Sequence, residues 1–229
     1  MDRRAARGAG MGRPAAAGRA AMISAREALA RLRQGNQRFV AEVRSDDTVT
    51  TQARRTSLAA GQEPFAIILG CSDSRVPAEI VFDQGLGDLF VIRVAGNIVA
   101  PSQIGSVEFA AARFGTRLVV VLGHSQCGAV LATLEELQQA TEQQSRNLRS
   151  IVDRVRPSVE PLLATPLRHD PAALVRQAVR ANVLASANQL RHGSEILERL
   201  IERENLLVVG AEYSLESGVV DFFGGVADA

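Results

Sequence analysis

The chain has 229 residues, of which 46% are hydrophobic and 22% are charged, as in an ordinary globular protein. Its formal net charge is only +1 and it contains no Trp, so neither charge nor aromatic content indicates binding to nucleic acid or anionic lipid. All 26 basic residues are Arg, and the absence of Lys excludes Schiff-base catalysis and a P-loop lysine.

Residues 1–21 differ from the rest in composition, because they contain mainly Ala, Gly and Arg. We expect them to form a disordered extension, and residues 22–229 to form a single catalytic domain. Arg3-Arg4 resembles part of a twin-arginine export signal, but no apolar core of the required length follows, so we expect a cytoplasmic protein. No later stretch reaches about 18 consecutive apolar residues, and no membrane span is predicted.

An N-terminal helix is the first predicted element. Ser24 and Glu27 occupy the N-cap and N3 positions of a capping box, and apolar residues follow near helical spacing. A second, short helix is predicted near residues 50–59.

Strands and helices alternate along the rest of the chain. Continuous apolar runs predict strands at 65–70, 89–94, 118–122 and 206–211, and an antiparallel edge strand at 219–223. Helices are predicted at 102–114, at 129–139, and from Asp170-Pro171 onward with a break at Gly193-Ser194. Residues 140–170 contain Pro157, Pro161 and Pro166, and are predicted to hold only short helical pieces and loops. This alternation predicts an α/β fold with three α/β/α layers, a mostly parallel central sheet and an N-terminal helical arm.

Both cysteines and one histidine come directly after predicted strands. Cys71 follows the strand at 65–70, and His124 and Cys127 follow the strand at 118–122. If these strands are neighbours, the three side chains meet at the carboxyl edge of the sheet. Two thiolates and one imidazole suit zinc, and three protein ligands leave a fourth position for water. The pattern predicts a zinc hydrolase or hydratase, although a buried Cys is by itself more often an apolar core residue.

Asp73 and Arg75 can face the same crevice as Cys71, because alternate residues of an extended segment point to one side. The guanidinium would keep the Asp73 carboxylate ionised. Asp73 would then accept a hydrogen bond from metal-bound water or bind the metal itself. The alternative is that the pair is only a helix cap and a surface charge.

Two segments resemble the signatures of the β-class carbonic anhydrases of the bacterial type. They are Cys71-Ser72-Asp73-Ser74-Arg75 and His124-Ser125-Gln126-Cys127-Gly128. The resemblance continues through residues 76–85, 87–93 and 95–97, and it covers roughly residues 24 to 225. It implies a homodimer or homotetramer of α/β/α subunits.

The resemblance also implies the site residues. One Zn²⁺ per chain would be held by Cys71, His124 and Cys127, with water or Asp73 as the fourth ligand. Asp73 and Arg75 would be the catalytic residues, and their pairing would control which fourth ligand binds.

The implied enzyme is a carbonate dehydratase, a zinc lyase that reversibly hydrates carbon dioxide to bicarbonate and a proton. Zinc-bound hydroxide would attack the substrate and Asp73 would orient it. A related zinc hydrolase acting on carbonyl sulfide or carbon disulfide would use the same ligands and is the main alternative. There are two further alternatives. One is a non-enzymatic zinc-binding dimer in which Asp73 permanently occupies the fourth position on the metal, and the other is a thiol redox sensor.

Overall fold

The computed structural model describes residues 23–44, 51–139 and 145–225. In this part of the chain, helices flank a sheet of five strands. The strands are β1 (Ala66–Gly70), β2 (Leu89–Arg93), β3 (Leu118–His124), β4 (Leu207–Tyr213) and β5 (Val220–Phe223). The α-helices are α1 (Ala25–Val40), α2 (Gln52–Leu58), α3 (Ala78–Val81), α4 (Pro101–Arg113), α5 (Gly128–Gln138), α6 (Arg146–Val159), α7 (Pro171–His192) and α8 (Glu195–Glu204). Short 3₁₀ helices cover Ala95–Asn97, Glu160–Ala164 and Pro166–His169.

The sheet has the order β2-β1-β3-β4-β5, with β1 to β4 parallel and β5 antiparallel to β4. Every residue of β1 and β3 is buried, as expected for strands that read as continuous apolar runs. The predicted α/β fold is therefore confirmed. Both β3 and β4 extend two residues beyond their predicted ends, because pairing continues to His124 and Tyr213 after the apolar runs have stopped.

The order of the strands creates a crevice at the carboxyl edge of the sheet. The chain passes from β1 to β2 on one side and then returns to β3 on the other side of β1. Gly70 pairs with Leu122, so the residues that follow β1 lie beside the last residues of β3. Ligands of open α/β sheets bind at such a point of reversal.

Helix α1 covers one face of the sheet and begins as predicted. Ser24 accepts a hydrogen bond from the Glu27 N–H, and the Glu27 carboxylate accepts one from the Ser24 N–H. Gly35 allows the helix to approach α3 closely, since a Cβ at this position would lie 1.8 Å from the Phe82 carbonyl oxygen. The chain requires glycine here for packing.

Helices α4, α7 and α8 cover the opposite face. Asp170 caps α7 and Pro171 opens it, as predicted, and Ser194 caps α8 after the predicted break. Val183 of α7 packs against the sheet so closely that a Cβ at Gly123 would lie 2.4 Å from its side chain. The tight contact is directly beside the end of β3.

The prediction of only short pieces across 140–170 was wrong for α6, which has 14 residues and contains Pro157 in its final turn. Three valines at helical spacing, Val152, Val155 and Val159, are buried against the core. Their burial outweighs the hydrogen bond lost at a proline near the helix end.

None of the described helices is long and apolar enough to cross a bilayer. The extension predicted for residues 1–21 lies outside the described residues and stays a prediction.

Candidate metal centre

The side chains of Cys71, His124 and Cys127 meet in the crevice between β1 and β3. Their sulfur and ring-nitrogen atoms all lie within 4.8 Å of one another, and all three residues are buried. No other group of three or more His, Cys, Asp or Glu side chains in the described ranges comes together in this way. Sequence spacing correctly placed these three side chains in one crevice.

A tight turn brings Cys127 back to His124. Gln126 adopts the left-handed conformation with φ of 55°, and Cys127 then becomes the N-cap of α5. Ser125 ties this turn to the end of β4, because its N–H donates to the Tyr213 carbonyl at 2.9 Å and its hydroxyl oxygen accepts from the Leu215 N–H at 2.9 Å. One hydrogen bond from the Ser125 main chain and one to its hydroxyl therefore hold the second ligand segment in place.

The His124 ring is oriented for metal binding. Its Nδ1 lies 2.9 Å from the Ser125 carbonyl oxygen, which can only accept, so Nδ1 carries the proton. The lone pair is then on Nε2, which is buried and has no hydrogen-bond partner. A buried acceptor without a partner is costly, and a cation would satisfy it.

The two sulfurs complete a donor set that suits zinc. Cys71 Sγ accepts a hydrogen bond from the Gly96 N–H at 3.3 Å. The hydrogen bond with Cys127 is the main reason that the pKa of Cys71 falls to about 4, and the same contact with burial raises the pKa of Cys127. Two adjacent thiolates would repel each other, and a divalent cation between them removes that repulsion. The residues present therefore fit a borderline-soft metal ion.

The carboxylate of Asp73, which is hydrogen-bonded to Arg75, lies beside the cluster. Arg75 donates from Nε to Asp73 Oδ1 at 2.9 Å and from Nη2 to Asp73 Oδ2 at 2.7 Å. This bidentate contact holds the pKa of Asp73 well below its usual range. Asp73 Oδ2 lies 3.8 Å from His124 Nε2, so the carboxylate faces the same point as the ligand atoms.

Two further residues hold this first loop, and no role was predicted for either of them from the sequence. Arg93 donates to the carbonyl oxygens of Cys71 at 3.0 Å and of Asp73 at 2.6 Å. Gly96 contributes the N–H that reaches Cys71. Both lie in segments that belonged to the family resemblance, but only the fold shows what they contact.

A buried Cys-His-Cys cluster that could hold a metal ion, at the strand-order reversal of the sheet and next to a carboxylate, is an arrangement expected of α/β metalloenzymes. The family model for carbonic anhydrases matches residues 66–220. The chain is 41% identical over 187 residues to carbonic anhydrase 2 of Mycobacterium tuberculosis, covering 82% of this chain and 87% of the relative. It is 39% identical over 197 residues to the carbonic anhydrase of Mycolicibacterium smegmatis, covering 86% and 92%.

Solved structures agree with these relatives. The β-carbonic anhydrase CafA of Aspergillus fumigatus superposes with a TM-score of 0.68 at 25% identity, covering 89% of this chain and 92% of that one. A β-carbonic anhydrase of Sordaria macrospora, described as tetrameric, gives 0.66 at 26% identity, with 74% and 85% covered. The chain belongs to the β-carbonic anhydrase family, and is thereby a carbonate dehydratase, as its sequence motifs implied.

Proposed function

We propose that this chain catalyses the zinc-dependent, reversible hydration of carbon dioxide at the crevice formed by Cys71, His124 and Cys127. The observation that carries the proposal is the buried three-donor cluster with an arginine-held carboxylate beside it, in a chain of this family. The donor set supports one Zn²⁺ per chain, held by two sulfurs and His124 Nε2. When bound, the ion supplies the Lewis acidity that makes water a nucleophile near neutral pH.

Asp73 orients the water that reacts. Its carboxylate faces the ligand atoms and accepts hydrogen bonds, so it can hold one hydrogen of a water molecule and turn an oxygen lone pair toward the substrate. Because Arg75 engages both carboxylate oxygens, the geometry supports Asp73 as a hydrogen-bond acceptor rather than as the fourth metal ligand.

Asp73 does not store the proton that the reaction releases. Each forward turnover combines one carbon dioxide with one water and yields one bicarbonate and one proton. Since Arg75 lowers the pKa of Asp73, the carboxylate stays ionised at neutral pH and the proton passes on to buffer. Arg75 thus acts through Asp73 as a positioning residue.

We also propose that the chain assembles into homodimers or homotetramers. The description of the Sordaria macrospora enzyme as tetrameric supports a closed assembly. Light scattering on the purified protein tests this proposal, and a purely monomeric mass at working concentration would contradict it.

The function is tested by zinc analysis and rate measurement on the same preparation. We expect one zinc per chain and rapid carbon dioxide hydration in a stopped-flow indicator assay. Activity should fall on chelation and return with added zinc. Carbon disulfide serves as the competing substrate, and turnover of it without carbon dioxide hydration would replace the proposed reaction. A protein with full zinc and neither activity would refute a catalytic role.

A further inference from the structure

A buried asparagine on α7 connects the core of the protein to the metal centre. Asn182 is 2% exposed, and its Nδ2 donates to the Gly96 carbonyl oxygen at 2.8 Å. The N–H on the other side of the same Gly96 Cα donates to Cys71 Sγ. A continuous chain of two hydrogen bonds therefore runs from α7 through one residue to a candidate metal ligand.

The turn that contains Gly96 needs such support. Gly96 has φ of 73° and the following Asn97 has φ of 43°, so two successive residues are left-handed. The Asn97 side-chain Nδ2 is buried and has no hydrogen-bond partner among the described residues, so this amide nitrogen does not hold the turn. Unusual backbone conformations persist only where their surroundings fix them. The side chain of Asn182 fixes the backbone conformation of this turn through its hydrogen bond to Gly96.

The turn also has no room to relax toward its neighbours. A Cβ on Gly96 would lie 3.0 Å from the Ala129 Cβ on α5 and 3.5 Å from Val155 on α6. Gly96 therefore lies close to α5 and α6, and a side chain at this position would crowd both helices. The hydrogen bond from Asn182 holds the Gly96 carbonyl, and with it the peptide group that follows Gly96, in one orientation.

We propose that Asn182 is a positioning residue of the metal centre, which aims the Gly96 N–H at the Cys71 sulfur. This inference rests on the proposed zinc site. A hydrogen bond to a coordinating thiolate withdraws electron density from the sulfur and fixes its direction, and such outer contacts tune affinity and metal electronics. Loss of the Asn182 amide releases the turn, so Cys71 becomes a freer and more electron-rich donor.

The test compares Asn182→Leu, Asn182→Ala and the control Ser186→Ala, using folded full-length protein. Leu keeps the size of the side chain and Ala avoids crowding, so an effect shared by both reports the missing donor. Ser186 is a buried polar residue one turn further along α7. Zinc affinity is measured by chelator competition, and the thiolate-to-cobalt charge-transfer band is recorded after substitution with Co²⁺.

We expect both Asn182 variants to bind zinc about tenfold more weakly, because the lost orientation of the Cys71 sulfur outweighs its greater electron density; a tenfold loss is within the range typical of partners of metal ligands. Their charge-transfer band should move to lower energy, while Ser186→Ala keeps the wild-type values. Unchanged affinity and spectrum in folded variants would overturn the proposal, as would failure of both variants to fold, since that outcome shows a general structural role. A wild-type chain that binds no zinc would instead refute the proposed function.

Discussion

The two segments that supply the candidate ligands are held in different ways. The segment after β3 stays paired with β4 up to His124, continues directly into α5, and is tied to the main chain at the end of β4 by two hydrogen bonds of Ser125. The loop after β1 leaves the sheet at Cys71 and is held by the side chains of Arg75 and Arg93. Strand pairing and α5 position the segment after β3. The loop after β1 is positioned by arginine side chains: Arg93 comes from β2, and Arg75 lies at the far end of the loop itself.

This difference separates two roles within one site. The buried β3 segment provides two donors whose geometry depends on secondary structure. The more exposed β1 loop provides one donor together with Asp73, whose orientation depends on hydrogen bonds from arginine. Substitutions in the first segment should therefore affect metal content, whereas substitutions among the arginines should affect rate more than metal content.

The largest effect is expected for Cys127→Ala. Removing one of three donors leaves two, too few for a tight zinc site. Zinc content should fall from about one per chain to near background, and hydration activity should fall with it. Thr133→Ala is the matched control on α5, because the Thr133 hydroxyl donates within that helix to the Ala129 carbonyl. Full zinc occupancy in Cys127→Ala would disprove the ligand assignment.

A loss of roughly a hundredfold in hydration rate is expected for Arg75→Ala and Asp73→Asn, with zinc retained, because misaligned reacting groups cost about this much. Arg75→Lys should be intermediate, since an ammonium keeps the charge but cannot bind both carboxylate oxygens in a bidentate manner. Stopped-flow rates and zinc analysis on the same samples check the prediction. A normal rate in Arg75→Ala would show that Asp73 needs no arginine.

About a tenfold loss in rate is expected for Arg93→Leu, because the Cys71 and Asp73 carbonyl oxygens lose a shared donor while the ligands remain. Arg154→Leu is the control, since Arg154 is exposed and donates to the Ser150 carbonyl oxygen within its own helix, away from the metal centre. Equal rates in the two variants would mean that Arg93 does not position the loop.

The two segments also differed in how far sequence could predict them. Cys71, His124 and Cys127 were recognised because each follows an apolar run, and the parallel sheet brings the ends of those runs together. Arg93 and Asn182 were not recognised, because nothing local distinguishes them. Asn182 lies 86 residues from the carbonyl that it contacts. Such partners are set by tertiary packing, which strand and helix periodicity does not encode.

The prediction from proline positions also failed at α6. Two of the three prolines between residues 140 and 170, Pro161 and Pro166, correctly indicated breaks, because both lie in short 3₁₀ helices. The prediction failed at Pro157, because three buried valines hold the helix against the core through its last turn. Hydrophobic packing of the whole segment outweighed the preference of one residue.

The hydration rate should depend on pH, because the charge of the metal-binding side chains sets the acidity of the bound water. Two thiolates cancel the charge of a zinc ion, whereas three imidazoles leave it positive, so water at this site should be less acidic than at an all-histidine site. Hydration rates should therefore rise as the pH increases above about 7, the typical value for the all-histidine case. Rates measured in several buffers of matched ionic strength check this, and a flat profile across neutral and alkaline pH would contradict it.

The smallest effect is expected at a second arginine–carboxylate pair, Arg180 and Glu212, which differs from the pair of Arg75 and Asp73. Glu212 of β4 lies in register with Gly123, beside the β3 segment, and Arg180 contacts it at 3.3 Å. Arg180 lies closer to Asp221, at 2.7 Å. Burial raises the pKa of Glu212, with a smaller contribution from Asp221, and Arg180 only partly opposes it. Each arginine lowers the pKa of its carboxyl partner, but burial outweighs this effect at Glu212 and does not at Asp73, so the two pKa values shift in opposite directions.

Glu212→Gln should make this contrast measurable. A raised pKa means that the folded state favours the protonated Glu212 carboxyl. The free energy of unfolding therefore falls as the pH rises from the pKa of Glu212 in the unfolded state to its pKa in the folded state, and it stays lower above that pH. Gln resembles the protonated form and keeps an oxygen that can accept from Arg180. The variant should therefore melt a few degrees above wild type at about pH 8 and show little difference near pH 4. Thermal unfolding at both pH values checks this, and a variant less stable than wild type at the higher pH would show that the ion pair with Arg180 outweighs burial.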